Sequence, residues 1–202
     1  MSNILVSVII PVFNRENYIN KCIRSILDQS LHRDKYEIIV VDDGSIDGTN
    51  QILNKYDDRI NIIRNNKNYG LPYSLNIGIK KSKGRFVIRL DSDDYVNREY
   101  LNILSLHLLL NDEIDAVSCD YIVVDEKDKI IRYDKFSKNP IGCCLMFRME
   151  HLIKIGLYNE EYLINEDKEL FKRFTRKFNI YNCPLPLYRY LMHSNNLTKN
   201  HK

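Results

Sequence analysis

The chain has 202 residues, 44% of them hydrophobic and 28% charged, with a formal net charge of +3. That length suits a single domain with a sizeable core, the composition excludes a disordered chain, and so mild a charge does not argue for nucleic acid as a partner. The cysteines Cys22, Cys119, Cys143, Cys144 and Cys183 are odd in number and never spaced C-x-x-C. Neither a disulfide framework nor a zinc site is indicated, and a reducing cytoplasm is the expected residence. No apolar run is long enough to span a bilayer, and the apolar stretch 4–12 lacks a basic leader and a cleavage site. The expectation is a protein neither exported nor integral to a membrane.

Val6–Val12 (VSVIIPV) is a nearly continuous β-branched run and reads as a strand buried on both faces. Apolar residues at helical spacing (Ile19, Cys22, Ile23, Ile26, Leu27) predict a helix over 16–29. A second buried strand, 36–41, ends in Asp42-Asp43-Gly44-Ser45, and Asp47-Gly48-Thr49 opens a second helix through Tyr56. A third strand (60–64), a third helix (71–81, with Gly78 inside it) and a fourth strand (86–90) follow. Such alternation predicts a parallel sheet flanked by helices, with ligands bound beyond the carboxyl ends of the strands. Asn14, Asp42, Asp43 and the carboxylates of 91–94 all fall at such ends.

The last group, Asp91-Ser92-Asp93-Asp94, closes the run FVIRL. By itself it reads equally as an acidic turn capping the next helix or as a site for a hard divalent cation holding a diphosphate. Beyond it, 99–111 is helical and apolar nearly all round, which predicts a buried helix, with membrane-surface contact as the lesser alternative. Strands at 116–124 and 130–133, joined by a polar turn, predict a hairpin and a change to antiparallel pairing. A strand over 142–148 and a short helix over 150–155 stopped by Gly156 come next. Asn165 is expected to cap a helix whose first turn carries Glu166, Asp167 and Glu169, and a Pro-bounded strand then leads to His193.

Five segments in order, VSVIIPVFN, VVDDGSIDGT, NYGLPYSLNIGIKKSKGRFVIRLDSDDY, GLYNEEYLINEDKELFKRF and YRYLMHSNNLT, resemble glycosyltransferase family 2, the inverting nucleotide-sugar enzymes of the GT-A fold. The resemblance implies one α/β domain over 1–202. Its mostly parallel, Rossmann-like central sheet is flanked by helices and carries a small antiparallel acceptor-side portion. Residues 1–95 would form the nucleotide-binding half and 96–202 the acceptor-binding half. It also implies a nucleoside diphosphate sugar as donor, a UDP-sugar first among them. The hydroxyl acceptor would lie on a glycan or lipid-linked oligosaccharide of surface polysaccharide biosynthesis.

Carried over by position, Pro11, Phe13, Asn14, Asp42, Asp43, Asn76, Asp91 and Ser92 would bind the nucleotide-sugar. Asp93, Asp94 and His193 would hold Mn2+ or Mg2+. Asp167 would be the base that takes the acceptor proton, with Glu166 as its companion. Helix capping is the competing explanation for the last pair, and a turn closing the strand for Asp42 and Asp43. Arg189 and Lys199 are further phosphate candidates.

The chain departs from the pattern at Leu75, where relatives often have arginine before the asparagine, a role Arg64 or Lys67 could take over. The segment PVFNREN lacks the Gly-rich phosphate loop of a sugar nucleotidyltransferase, which sets that class aside. The remaining alternative is a nucleotide-sugar-binding domain without turnover. Residence at the inner face of the membrane is compatible with a lipid-linked acceptor, although the cluster Lys80, Lys81, Lys83 and Arg85 reads as a solvated face. Oligomeric state is not legible.

Overall fold

All seven residues of β1 (Val6–Val12) are buried, and the sheet is built on this strand. It pairs in parallel with β2 (Tyr36–Asp42) on one side and β4 (Phe86–Arg89) on the other, and β2 pairs in parallel with β3 (Asn61–Arg64). The computed structural model describes residues 3–194 and 196. Within them the second half supplies β5 (Tyr95–Val96), β6 (Ala116–Val124), β7 (Ile130–Asp134), β8 (Leu145–Arg148) and β9 (Ile180–Leu191). The sheet runs β3-β2-β1-β4-β8-β6-β9-β5, with β7 added to the edge of β6. Every antiparallel pairing (β4–β8, β6–β8, β6–β7, β5–β9) involves a strand of the second half.

The helices are α1 (Ile19–Leu27), α2 (Thr49–Leu53), α3 (Leu71–Lys81), α4 (Tyr100–Leu110), α5 (Met149–Ile155) and α6 (Glu166–Phe174). Expected and observed elements agree closely in the first half, because each parallel strand there is a local apolar run. The main differences fall in the second half and arise mostly from contacts between residues far apart in the chain. The strand expected over 142–148 begins only at Leu145, since Gly142–Cys144 is a 3-10 turn. At Gly142 the space of a side chain is taken by Asp167 and Arg89, whose atoms lie 3.1 and 3.3 Å from where a Cβ would sit.

Strand β5 has only two residues and exists through its partner β9, so no sequence period announces it. Pro184 and Pro186 lack N–H donors, and there the β6–β9 ladder slips: Cys119 faces Cys183 but Asp120 faces Pro186. Asn165 stands at the N-terminal cap of α6 as expected, but with φ +61 and no capping bond from its side chain.

Helix α4 was expected to be buried on account of its apolar circumference. Tyr100, Leu101, Leu104 and Leu108 are buried, whereas Leu110 on the outer face is 73% exposed. The buried guanidinium of Arg148 closes this helix, donating to the carbonyls of Leu108 (2.7 Å), Asn111 (2.9 Å) and Ile114 (2.8 Å), so the last turn is satisfied from within. Among the described residues no helix is long and apolar enough to cross a membrane.

Helix α3 lies against β1 and β2 through Gly78, where a Cβ would come within 2.5 Å of Ile9 Cγ2 and 3.3 Å of Val41 Cγ2. Alanine raises helix propensity by about 1 kcal/mol, but overpacking against a β-branched strand residue costs about 1–3 kcal/mol. Gly78→Ala is therefore expected to lower the unfolding free energy in urea, against its propensity.

Candidate active site

The carboxyl ends of β1, β2 and β4 open on one side of the sheet, and the loops there are knitted by polar side chains. Asn14, with φ +52, donates its backbone N–H to Ser45 Oγ (3.0 Å) and accepts from Ile46 N through Oδ1 (2.9 Å). Asp42 Oδ1 accepts from Ser45 N (3.0 Å). Asp43 is buried and gathers the 65–70 loop, accepting from Asn65 Nδ2 (2.7 Å), Tyr69 N (3.1 Å) and Gly70 N (2.8 Å). Pro11 and Ser92 are buried, while Phe13 is partly exposed at the mouth of the loops.

The three aspartates after β4 have different surroundings. Asp94 is buried and both its oxygens are engaged: Oδ2 accepts from Tyr188 OH (2.7 Å) and Oδ1 from Leu191 N (2.7 Å). The same Tyr188 oxygen accepts from Asp91 N at 3.3 Å. Burial, then the charges of Asp93 and Asp91, push the Asp94 carboxyl well above its ordinary range. Asp93 lies farther out. Burial raises its proton affinity, but the His193 contact and the Arg15 charge outweigh it and hold this carboxyl below the usual range. Its Oδ2 is 3.0 Å from His193 Nε2 and 3.3 Å from Arg15 Nε.

His193 is held by its backbone N–H on Asn196 Oδ1 (2.6 Å), and its ring stacks on Tyr18 with centroids 4.4 Å apart. Asp91 accepts from Arg89 through both oxygens, Oδ1 from Nε at 2.5 Å and Oδ2 from Nη2 at 3.1 Å. The remaining Nη1 of Arg89 donates to Glu166 Oε1 at 2.8 Å, across 77 positions of sequence. Asp167, next to Glu166, is half-buried and accepts from Lys168 N (2.7 Å) through Oδ1.

Two donor sets could be considered for a divalent cation. Atoms of Asp91, Asp94 and Cys143 lie within 4.8 Å of one another. That set suits a hard cation poorly, because burial pushes the Cys143 thiol up to about 11 and Asp91 and Asp94 are already engaged by Arg89, Tyr188 and Leu191. Asp93 and His193 fit better. Their facing atoms, a ring nitrogen and a carboxylate oxygen of the kinds such an ion takes, are 3.0 Å apart, and Arg15 Nε at 3.3 Å from the same Asp93 oxygen would have to yield it.

Other sequence candidates have different engagements. Asn76 is buried with its amide turned to the loop before α6, donating to Tyr158 O (2.9 Å) and Glu160 Oε1 (2.8 Å) and accepting from Tyr158 N (3.0 Å). Arg64 donates to Asn50 and Asn54 at 3.1 and 2.6 Å, and Lys67 lies over the Tyr69 ring. Arg189 binds the Pro186 carbonyl at 2.7 Å. Lys199 lies outside the described residues. Sequence reasoning missed Arg15, Tyr18, Arg89 and Tyr188. Arg89 alone left a signal there, a charge inside an otherwise apolar strand, which requires a buried partner.

The family model "Glycosyl transferase family 2" matches residues 7–183. An uncharacterized glycosyltransferase of Haemophilus influenzae is 31% identical over 95% of this chain and 66% of its own length. One of Rickettsia prowazekii is 36% identical over 88% of this chain and 60% of its own. The chain thus spans about 60–66% of these relatives. Among solved structures, Staphylococcus aureus TarS 1-349 in complex with UDP-GlcNAc has TM-score 0.84 at 23% identity, covering 98% of this chain and 62% of that one. The mannosyltransferase PcManGT of Pyrobaculum calidifontis, with GDP-Man and Mn2+, has TM-score 0.77 at 19% identity, covering 95% and 58%. These likenesses establish the GT-A fold.

The environments of the two aspartates set different costs for losing them. Asp94→Ala leaves the Leu191 N–H and the Tyr188 hydroxyl without their acceptor, at about 1–3 kcal/mol for each buried group. Asp93→Ala removes a less enclosed carboxylate that faces one fully buried side chain, His193, and one partly open one, Arg15, and is expected to cost less than Asp94→Ala. Urea unfolding of the two variants checks the ordering.

Proposed function

The chain belongs to glycosyl transferase family 2, and on that footing we propose that it moves a sugar from a UDP-linked donor to an acceptor hydroxyl with inversion of the anomeric centre. The observation that carries this reading is the Arg89 bridge, which joins the carboxylate motif after β4 to the acidic N-terminus of α6. In this reading residues of both halves line one donor and acceptor site. Pro11, Phe13, Asn14, Asp42, Asp43, Asp91 and Ser92 form its nucleotide side. Asn76 supports the opposite wall by fixing the 158–160 loop.

Asp93 and His193 would hold a divalent cation, Mn2+ or Mg2+, with Asp94 behind them anchoring β9 rather than binding the ion. When bound, that cation supplies positive charge against the leaving diphosphate. Asp167 accepts the proton of the acceptor hydroxyl at Oδ2, the oxygen other than the one that takes the Lys168 N–H, and attack from the face opposite the leaving group inverts the sugar. Glu166 stays paired with Arg89 beside it.

The acceptor is a glycan or lipid-linked oligosaccharide of surface polysaccharide biosynthesis, and the enzyme works in the cytoplasm at the inner face of the membrane. TarS of Staphylococcus aureus, a poly(ribitol-phosphate) beta-N-acetylglucosaminyltransferase 40% identical over 98 residues, supports that class and an N-acetylhexosaminyl donor. Those residues are 47% of this chain and 17% of TarS.

The test is UDP release from a panel of UDP-sugars with Mn2+, with and without glycan acceptors. Turnover of one donor is expected, with Asp167→Asn lowering kcat by about 10²–10⁴ while UDP and Mn2+ still raise the melting temperature. Asp93→Ala should abolish the Mn2+-dependent part of that rise. UDP binding without turnover of any donor would instead identify a nucleotide-sugar-binding domain.

A further inference from the structure

Arg89 is an arginine inside a strand that is otherwise apolar, and its side chain is only 10% exposed. A guanidinium cannot shed its charge on burial, and its N–H groups radiate in one plane. Both edges are engaged: Nε and Nη2 donate to the two Asp91 oxygens, and Nη1 donates to Glu166, itself 9% exposed. The two-point contact with Asp91 fixes the plane of the fork, and the fork then fixes where Glu166 can lie.

Gly142 makes the arrangement possible. A Cβ there would meet Asp167 Cβ at 3.1 Å and Arg89 Nη1 at 3.3 Å, so the bare backbone of the 3-10 turn packs where the arginine and the second acid of α6 come together. Asp167 has no guanidinium bond. Its Oδ1 takes a backbone N–H, and it is more open than Glu166.

We propose that Arg89 is a positioning residue that divides the roles of the two adjacent acids of α6. It holds Glu166 as an anchor paired to the guanidinium and leaves Asp167 as the carboxylate placed to face the acceptor hydroxyl. Since the same guanidinium grips Asp91, the base is set in register with the donor-side motif. This inference rests on the transferase reading above. The bridge adds a reason for burying three charged groups together, since such clusters contribute little net stability and are retained where geometry matters.

The test uses Arg89→Met, Arg89→Lys, Glu166→Gln and the double variant R89M/E166Q. Initial rates of UDP release are measured with the donor that wild type turns over, alongside melting temperatures with and without UDP and Mn2+. Arg89→Met is expected to lower kcat by about 10²-fold, with donor KM changing less than about threefold, because the loss falls on alignment of the base rather than on binding. Arg89→Lys, a point charge without the fork, should restore only part of the rate. R89M/E166Q should melt higher and turn over faster than R89M, because the carboxylate left unpaired has been neutralised.

The proposal is overturned if R89M keeps more than about a third of wild-type kcat, or loses UDP binding in parallel with rate, or if the melting shifts of R89M and E166Q simply add. A wild-type protein without turnover would sink the transferase reading instead. In that case additivity of the melting temperatures alone decides whether the bridge exists.

Discussion

A buried guanidinium ties the end of the parallel strand β4 to the start of helix α6. Arg89 sits at the end of β4, the last of the strands in the parallel block, and reaches Asp91 two residues on and Glu166 at the start of α6. Burying one positive and two negative groups is unfavourable unless each is paired, and loss of one partner in such a cluster typically costs about 3–5 kcal/mol. The positions of α6, the Gly142 turn and the 91–94 motif are therefore interdependent.

Around this centre a second set of contacts holds the walls of the candidate site. Asp94, through Tyr188 and Leu191, pins β9 to the end of β4, and the chain beyond β9 returns His193 to Asp93. Tyr18 extends the same wall into α1, stacking on His193 and donating to Glu126 (3.1 Å) in the turn between β6 and β7. Asn76 does the corresponding work behind α6. Arg173 ties α6 back to the end of α5, donating to the carbonyls of Ile155 and Leu157 at 2.6 Å. Polar side chains position this site, while apolar packing of β1, β2 and β4 supplies the platform under it.

Much of the architecture was legible in the residues themselves. Val6–Val12 and Ala116–Val124 are strands with the bounds their apolar runs imply, and Leu71–Lys81 is a helix with its expected ends, because Pro72 suits a first turn and Gly70 adopts a positive φ before it. The clustering of Asp91, Asp93 and Asp94 after a buried strand was legible as a group of acids at a strand end. It did not distinguish an aspartate that anchors β9, another that faces His193 and a third that grips an arginine. Nor did the sequence show that Asn76 braces a loop more than 80 positions away.

The sequence by itself determined most of the strand and helix order and the end of the sheet for which chemistry is proposed. It also marked the acids available for that chemistry. These follow from hydrophobic period and strand-end placement, which depend on neighbours in the chain. Only the tertiary structure decided which acid meets which base, through Arg89 to Glu166 and His193 to Asp93, pairs 77 and 100 residues apart. Charges find partners by proximity after folding, so their pairing leaves no periodic trace in the chain.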